Sequence, residues 1–156
     1  MTLNVRKLLY VVIPIIGVFY LAYSALELYS WALSFVVPEY SGTWVGLFLP
    51  GDVGWFIAEF TVGILMIGSL VKGLGDYRGF SCLFIGSLIG VALLGLQLLV
   101  VVASVGDVGV VCFLMGEEAS YNLAEGLLTP AVIGGIVLTP LFAYSLARLR
   151  KGQMSL

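Results

Sequence analysis

Residues 8–37 read LLYVVIPIIGVFYLAYSALELYSWALSFVV, and this long apolar stretch decides the fold of the chain. No residue from Leu8 to Leu26 is charged. As a helix rising about 1.5 Å per residue, these residues extend about 28 Å, which matches the hydrocarbon core of a bilayer. The helical pattern continues past Glu27 until Pro38 stops it. The stretch therefore predicts a first membrane-spanning helix.

This first helix carries a stripe of polar side chains. At about 100° per residue, five residues fall on one narrow face of the helix. Because polar groups without partners are costly in hydrocarbon, the stripe is expected to face protein or water instead of lipid. The helix is therefore expected to pack against other helices. The stripe consists of Tyr20, Ser24, Glu27, Trp31 and Ser34.

The composition is that of an integral membrane protein. Of the 156 residues, 61% are hydrophobic and 10% are charged, whereas soluble domains have about 25% charged residues. Arg6 and Lys7 before the apolar stretch resemble the start of a signal peptide. The stretch is too long for a typical signal, so we interpret it as a signal-anchor that remains as the first span. The length leaves no room for a separate soluble domain, which predicts a single domain over residues 1–156.

Four apolar segments have the length needed to span a membrane. They predict an all-α integral membrane protein, a four-transmembrane-helix bundle in the cell membrane or another energy-transducing membrane. The lipid bilayer is then its first partner, and nothing in the composition indicates nucleic-acid binding. The segments lie at residues 8–36, 53–71, 80–105 and 127–146.

The links on the outer side are expected to form a partly structured cap. Residues 38–52 contain Trp44 and Phe48, and Trp55 follows them; such rings concentrate at the headgroup boundary of a bilayer. The link at 106–126 is longer, and its middle at 108–115 is apolar but too short to span. That middle favours an interfacial helix or a shallow re-entrant piece.

The charges are sorted between the two ends of the predicted bundle. With four spans, all seven basic residues fall on one side, and the positive-inside tendency makes that side cytoplasmic, with both termini inside. The basic residues are Arg6, Lys7, Lys72, Arg78, Arg148, Arg150 and Lys151. The acids expected on the outer side are Glu39, Asp52, Asp107, Glu117, Glu118 and Glu125.

Small residues mark the faces on which the spans are expected to pack. Gly86 and Gly90 form a G-x-x-x-G string in the third span, which allows another helix to approach closely. In the second span Gly63 shares a face with Glu59 and Met66. These glycines predict a close-packed inner half of the bundle.

Polar side chains from three spans are expected to meet in the outer half. Glu59 lies about 20 Å and Gln97 about 25 Å from the cytoplasmic edge, counted along their helices. Together with Glu27 they predict a binding pocket that opens outward, with Tyr20 and Tyr23 as further candidates. Such a pocket suits a proton, a cation, a quinone-like headgroup or a small amine.

A purely structural interpretation of the same residues stays open. Glu27 then extends to the outer interface, and Glu59 is protonated or hydrogen-bonded to Gln97 or to a tyrosine hydroxyl. Polar pairs of this kind link membrane helices with a gain of about 0.6 kcal/mol on average.

Catalytic and metal-binding patterns are not found in the sequence. The chain has no histidine, which removes the usual general base and the usual axial ligand of haem b. No nucleotide-binding loop, nucleophile elbow or H-E-x-x-H string occurs, and the spacing of the outer acids matches no metal-binding loop. We therefore predict no metal and no cofactor, and the sequence favours a protein that is not an enzyme.

Two functions follow from these observations. The leading hypothesis is a non-catalytic accessory or structural subunit of a larger membrane complex, for example a respiratory or redox assembly, or a homo-oligomer. It rests on the small-residue helix faces and the apolar outer links. The alternative is a carrier or binding protein for a proton, a cation or a small headgroup, with Glu59 and Glu27 as its site.

A third hypothesis comes from a resemblance. The layout of four spans, a polar first helix and acids on the outer side resembles that of the small DoxX-type membrane proteins, which are associated with redox and quinone chemistry. The resemblance covers the layout alone and no residue motif carries it. It implies a quinone-linked redox accessory.

Overall fold

The computed structural model describes the backbone of residues 3–36, 43–44, 47–48, 53–115 and 126–150, and the side chains of 7–36, 53–113 and 126–150. It contains four long helices: α1 (Leu3–Val36), α2 (Val53–Val71), α3 (Tyr77–Val110) and α4 (Pro130–Arg150). In the described part of the chain these four are long and apolar enough to cross a membrane, by length and composition. The prediction of an all-helical protein with four such helices is confirmed.

The helices pack in chain order with alternating directions. Gly17 of α1 packs against Ile67 of α2, and Leu21 packs against Gly63, so the two helices are antiparallel. Helix α2 packs on α3 and α3 on α4 in the same way, and α1 contacts α4 more sparsely. We call the end where α1 begins and α4 ends the terminal end of the bundle. The opposite end, where α2 and α4 begin, is the distal end.

Helix α3 is longer than the predicted span at both of its ends. It runs without a break through Gly106 and Gly109 to Val110, and a π-helical turn at Val111–Met115 follows. We predicted that α3 would end before Gly106. It continues because glycine is tolerated inside long apolar helices. The apolar middle of that link is neither a separate interfacial helix nor a re-entrant piece, because it continues α3.

Helix α4 begins at Pro130, later than the predicted residue 127. Proline suits the first position of a helix because its fixed φ is helical and its missing N–H would have no partner there. The carbonyl oxygen of Thr129 accepts the N–H groups of Val132 and Ile133 at 3.1 and 3.0 Å. Thr129 and Pro130 therefore set the start of the helix.

A short antiparallel ladder lies between α1 and α2. Strand β1 (Thr43–Trp44) pairs with β2 (Leu47–Phe48), with Thr43 opposite Phe48 and Trp44 opposite Leu47. The ladder is the described part of the 38–52 link of the predicted outer cap. The remaining residues of that link, and the side chains of Trp44 and Phe48, lie outside the described residues.

A tight turn joins α2 to α3 at the terminal end. Gly73 has a φ of +83°, which glycine adopts without strain. The N–H of Gly73 donates to the Leu70 carbonyl oxygen, and the N–H of Asp76 donates to the Gly73 carbonyl oxygen, both at 3.0 Å. The chain therefore reverses direction within a few residues.

The predicted packing glycines lie in helix interfaces. Gly63 packs on Leu21 of α1, and Gly86 packs on Met66 of α2. Gly90 packs on Leu138 of α4. The two glycines of the G-x-x-x-G string thus contact different helices, and together they place α3 between α2 and α4.

Candidate functional site

The polar stripe of α1 faces the interior of the bundle. Its residues Tyr20, Ser24 and Glu27 are buried, as is the neighbouring Tyr23, which agrees with the expectation that the stripe faces protein. Toward the distal end the buried face continues to Ser30, whereas Trp31 is half-buried and Ser34 is exposed. The stripe therefore follows the helix face through residue 30, and its two predicted outermost members do not belong to it.

Glu59 is the polar side chain that α2 buries in the distal half. It is 1% exposed and lies on the face that also buries Val62 and Met66. Its Oε2 atom has no hydrogen-bond partner among the described residues. A buried carboxyl oxygen without a partner is costly, so this position is not explained by helix packing alone.

Gln97 connects α3 to the segment before α4. Its Nε2 donates to the carbonyl oxygen of Gly126 at 3.2 Å. This bond fixes the amide plane of the half-buried side chain and leaves the side-chain carbonyl oxygen as an acceptor.

Four of the five predicted site residues surround one cavity. The cavity measures about 140 Å³ and lies among the distal turns of all four helices. It is lined by Tyr23, Glu27, Trp55, Glu59, Gln97, Val100, Thr129, Pro130 and Ala131. Glu59 and Gln97 were predicted to lie at similar depths along their helices, and both line this cavity.

Tyr20 lies outside the wall of this cavity. Its ring is fully buried one turn closer to the terminal end, edge-on to Phe19 with centroids 5.8 Å apart. The hydroxyl packs against Gly134 of α4, where a methyl group would lie 2.5 Å from the hydroxyl oxygen. Tyr20 therefore forms part of the floor between α1 and α4 beneath the cavity.

Trp55 and Thr129 are cavity residues that sequence reasoning missed. The sequence places Trp55 at the headgroup boundary, but its side chain is half-buried and packs against the core. Thr129 is buried, and its hydroxyl oxygen has no hydrogen-bond partner among the described residues. The Thr129-Pro130 pair, a common helix start, was the available signal for the second residue.

The described ionisable side chains that line the cavity include two carboxyl groups and no basic group. Glu27 and Glu59 are close enough to interact electrostatically. The basic side chains that the structure describes are Lys7, Lys72, Arg78, Arg148 and Arg150, and all of them belong to the terminal end. No group of three or more potential metal ligands occurs among the described histidine, cysteine, aspartate and glutamate side chains. The arrangement can therefore bind a cation through two carboxyl groups and neutral oxygens.

Comparison with known proteins finds no matching family model, no matching curated protein and no matching solved structure.

Proposed function

We propose that this protein binds a small organic cation, a protonated primary amine, in the cavity between Glu27 and Glu59. The observation that carries the proposal is the buried carboxyl group of Glu59, which lines the cavity and whose Oε2 atom has no hydrogen-bond partner among the described residues. A carboxyl group in this position gains a charge-assisted hydrogen bond when an ammonium group enters.

The second carboxyl group supports a charged ligand over a neutral one. Burial and mutual repulsion disfavour the ionised forms of two neighbouring carboxyl groups, and a cation between them favours those forms. A basic side chain of the protein could take the place of the ligand beside the two carboxyl groups. The described basic side chains, however, all lie at the terminal end of the bundle.

The neutral walls of the cavity suit an organic ammonium ion. Trp55 and Tyr23 contribute aromatic rings, whose faces attract cations, and the Thr129 hydroxyl can accept a hydrogen bond. At about 30 Å³ per water-sized group, a volume of about 140 Å³ admits a ligand of about four or five such groups. Methylammonium and its close homologues fit this limit.

Calorimetric titration of the purified protein in lipid nanodiscs with methylammonium chloride tests the proposal. We expect Glu59→Gln to weaken binding by at least about 30-fold, because it removes a buried charge opposite the ligand. Asp107→Asn is the matched control, since Asp107 is an exposed acid at the distal end of α3 and lies outside the cavity. Equal affinity in the native protein and in Glu59→Gln would overturn the proposal.

The orientation of the bundle is part of the same proposal. We infer that the terminal end lies in the cytoplasm, because all seven basic residues of the chain belong to that end or to the adjoining terminal residues. The cavity then opens toward the outer side. Green fluorescent protein fused after Leu156 is expected to fluoresce in bacterial cells, and alkaline phosphatase fused there is expected to stay inactive.

An accessory subunit of a larger membrane complex is the second candidate. It is favoured by the last turns of α3, which extend beyond the start of α4 because Leu94 already lies beside Gly135. Side chains along these turns and along the π-helical turn that follows are strongly exposed, among them Val102 and Phe113. Native mass spectrometry of the tagged protein extracted in mild detergent tests this candidate. Stoichiometric larger subunits would support it, and a lone chain would contradict it.

A further inference from the structure

A second opening, an apolar groove, lies beside the acidic cavity. The groove measures about 590 Å³ and runs between the distal parts of α2 and α3. On α2 it is lined by the small residues Gly54 and Ala58, and on α3 by aliphatic residues from Leu93 to Ala103. This part of α3 is about 15 Å long. The groove therefore has the elongated apolar shape that suits an alkyl chain.

The groove and the cavity share a wall. Trp55 and Val100 line both of them, so these two side chains separate the apolar space from Glu59. Trp55 is half-buried, and its partner in the wall, Val100, is exposed. A ligand with its ammonium group in the cavity and its chain in the groove would have to pass between these two side chains.

We propose that the ligand is a cationic amphiphile, with a primary ammonium headgroup in the cavity and a single alkyl chain in the groove between α2 and α3. This inference rests on the proposed function and names its ligand class. Its support is the shared wall of Trp55 and Val100, which places an acidic cavity directly beside an apolar groove.

The chemistry of the two spaces selects this occupant among the lipids. Anionic headgroups are repelled by Glu27 and Glu59, and a neutral headgroup brings no charge that offsets the repulsion between the two carboxyl groups. In a bilayer, moving a chain from lipid into the groove gains little free energy, because lipid tails are as apolar as the groove. The headgroup therefore supplies selectivity, and the groove supplies a route from the bilayer into the cavity.

Quenching of Trp55 fluorescence tests this arrangement directly. In nanodiscs, a protein carrying Trp31→Phe and Trp44→Phe keeps Trp55 as its single tryptophan. The probe is dodecylamine brominated on its chain, and dodecanol brominated in the same way is the neutral control. We expect the amine to quench Trp55 saturably, at a concentration in the bilayer at least about tenfold below that at which the alcohol quenches it.

A variant that fills the groove shows whether quenching requires the groove or only partitioning of the amine into the bilayer. Ala103→Phe places a ring in the groove and is expected to raise the half-saturating concentration of the brominated amine by about tenfold. Ala92→Phe is the matched control, because Ala92 is exposed on the same helix and does not line the groove. Ala103→Leu is the smaller variant if the aromatic one does not fold, and a smaller effect of the same sign is expected.

The outcomes distinguish this inference from the proposed function. If methylammonium binding depends on Glu59 but the brominated amine quenches no better than the alcohol, the amphiphile is overturned and the proposed function stands. The amphiphile is likewise overturned if Ala103→Phe and Ala92→Phe have the same effect on quenching. If methylammonium binds equally well to the native protein and to Glu59→Gln, both proposals fail.

Discussion

The two ends of this bundle are built from the same four helices and pack in opposite ways. At the terminal end, glycine and serine let backbones approach closely, and rings such as Phe84 and Phe142 stack between α3 and α4 with centroids 5.7 Å apart. At the distal end, carboxyl, amide and indole groups surround a cavity, and an apolar groove lies beside it. The candidate site therefore lies at the end where long polar side chains occupy the inward helix faces.

The difference follows from residue size and polarity on the inward helix faces. Small residues permit contact between backbones, which supplies the van der Waals packing that holds membrane helices together. Long polar side chains such as Glu59 and Gln97 keep the helices apart and leave space between them. Stability and binding are therefore expected to respond to mutation at different ends, and the following predictions test that separation from the largest effect to the smallest.

Gly79→Ala is expected to cause the largest loss of stability. A methyl group at Gly79 would overlap the Gly73 carbonyl group and approach the Ser69 carbonyl oxygen, and these backbone atoms cannot move without disrupting the turn between α2 and α3. We expect the free energy of unfolding to fall by about 3 kcal/mol. Unfolding by sodium dodecyl sulfate, followed by circular dichroism, measures it. Gly95→Ala is the control, because a methyl group there meets open space; equal stability of both variants would contradict the packing described.

Gly90→Ala is expected to cost less, about 2 kcal/mol. The added methyl group meets the Leu138 side chain, which can shift, whereas backbone cannot. The same unfolding experiment in a Leu138→Ala background supplies a double-mutant cycle. We expect the cost of Gly90→Ala to fall substantially once Leu138 is shortened. An unchanged cost would mean that the two residues are not in contact.

Glu59→Gln is expected to change stability by less than about 1 kcal/mol in either direction. The carboxyl group leaves one oxygen without a described hydrogen-bond partner, so its removal loses little in folding even while it weakens ligand binding. Unfolding in the absence of any amine measures this. A destabilisation of several kcal/mol would instead assign Glu59 to the packing of the helices.

Ser69→Ala is expected to have the smallest effect, below about 0.6 kcal/mol. The hydroxyl is fully buried, but it donates to the Met66 carbonyl oxygen of its own helix at 2.6 Å. This hydrogen bond therefore does not link two helices. Unfolding of the variant beside the native protein measures the effect, and a loss near that of Gly90→Ala would contradict this assignment.

Several features of the fold and site could be predicted from residue periodicity. Apolar segments of spanning length predicted the four helices, and counting residues from the cytoplasmic edge placed Glu59 and Gln97 at similar depth. Periodicity also predicted the buried face of α1 through Glu27. Periodicity did not predict which residue after Glu27 continues the buried face, because Ser30 and Trp31 are three and four residues further on and both positions lie close to that face.

The features that were missed depend on contacts between distant parts of the chain. The partners of Gly86 and Gly90 are set by which helices lie on either side of α3, and a motif alone does not specify two different partners. Trp55 has the character of a membrane-boundary residue, and only its packing against the core reveals its place between cavity and groove. The end of α3 was predicted too early, at residue 105. Glycine destabilises helices of soluble proteins, but it is common inside membrane-spanning helices.

The packing of each helix on the next one in the chain has a consequence for folding. Because α1 packs on α2, α2 on α3, and α3 on α4, most helix contacts join segments that are consecutive in the chain. Proteins rich in such local contacts fold rapidly, since little chain entropy is lost in closing long loops. Each helix after the first therefore packs on the helix that precedes it in the chain. We expect the α1–α4 seam, beside Tyr20 and Gly134, to be the last interface to form, because α4 is the last helix to be synthesised.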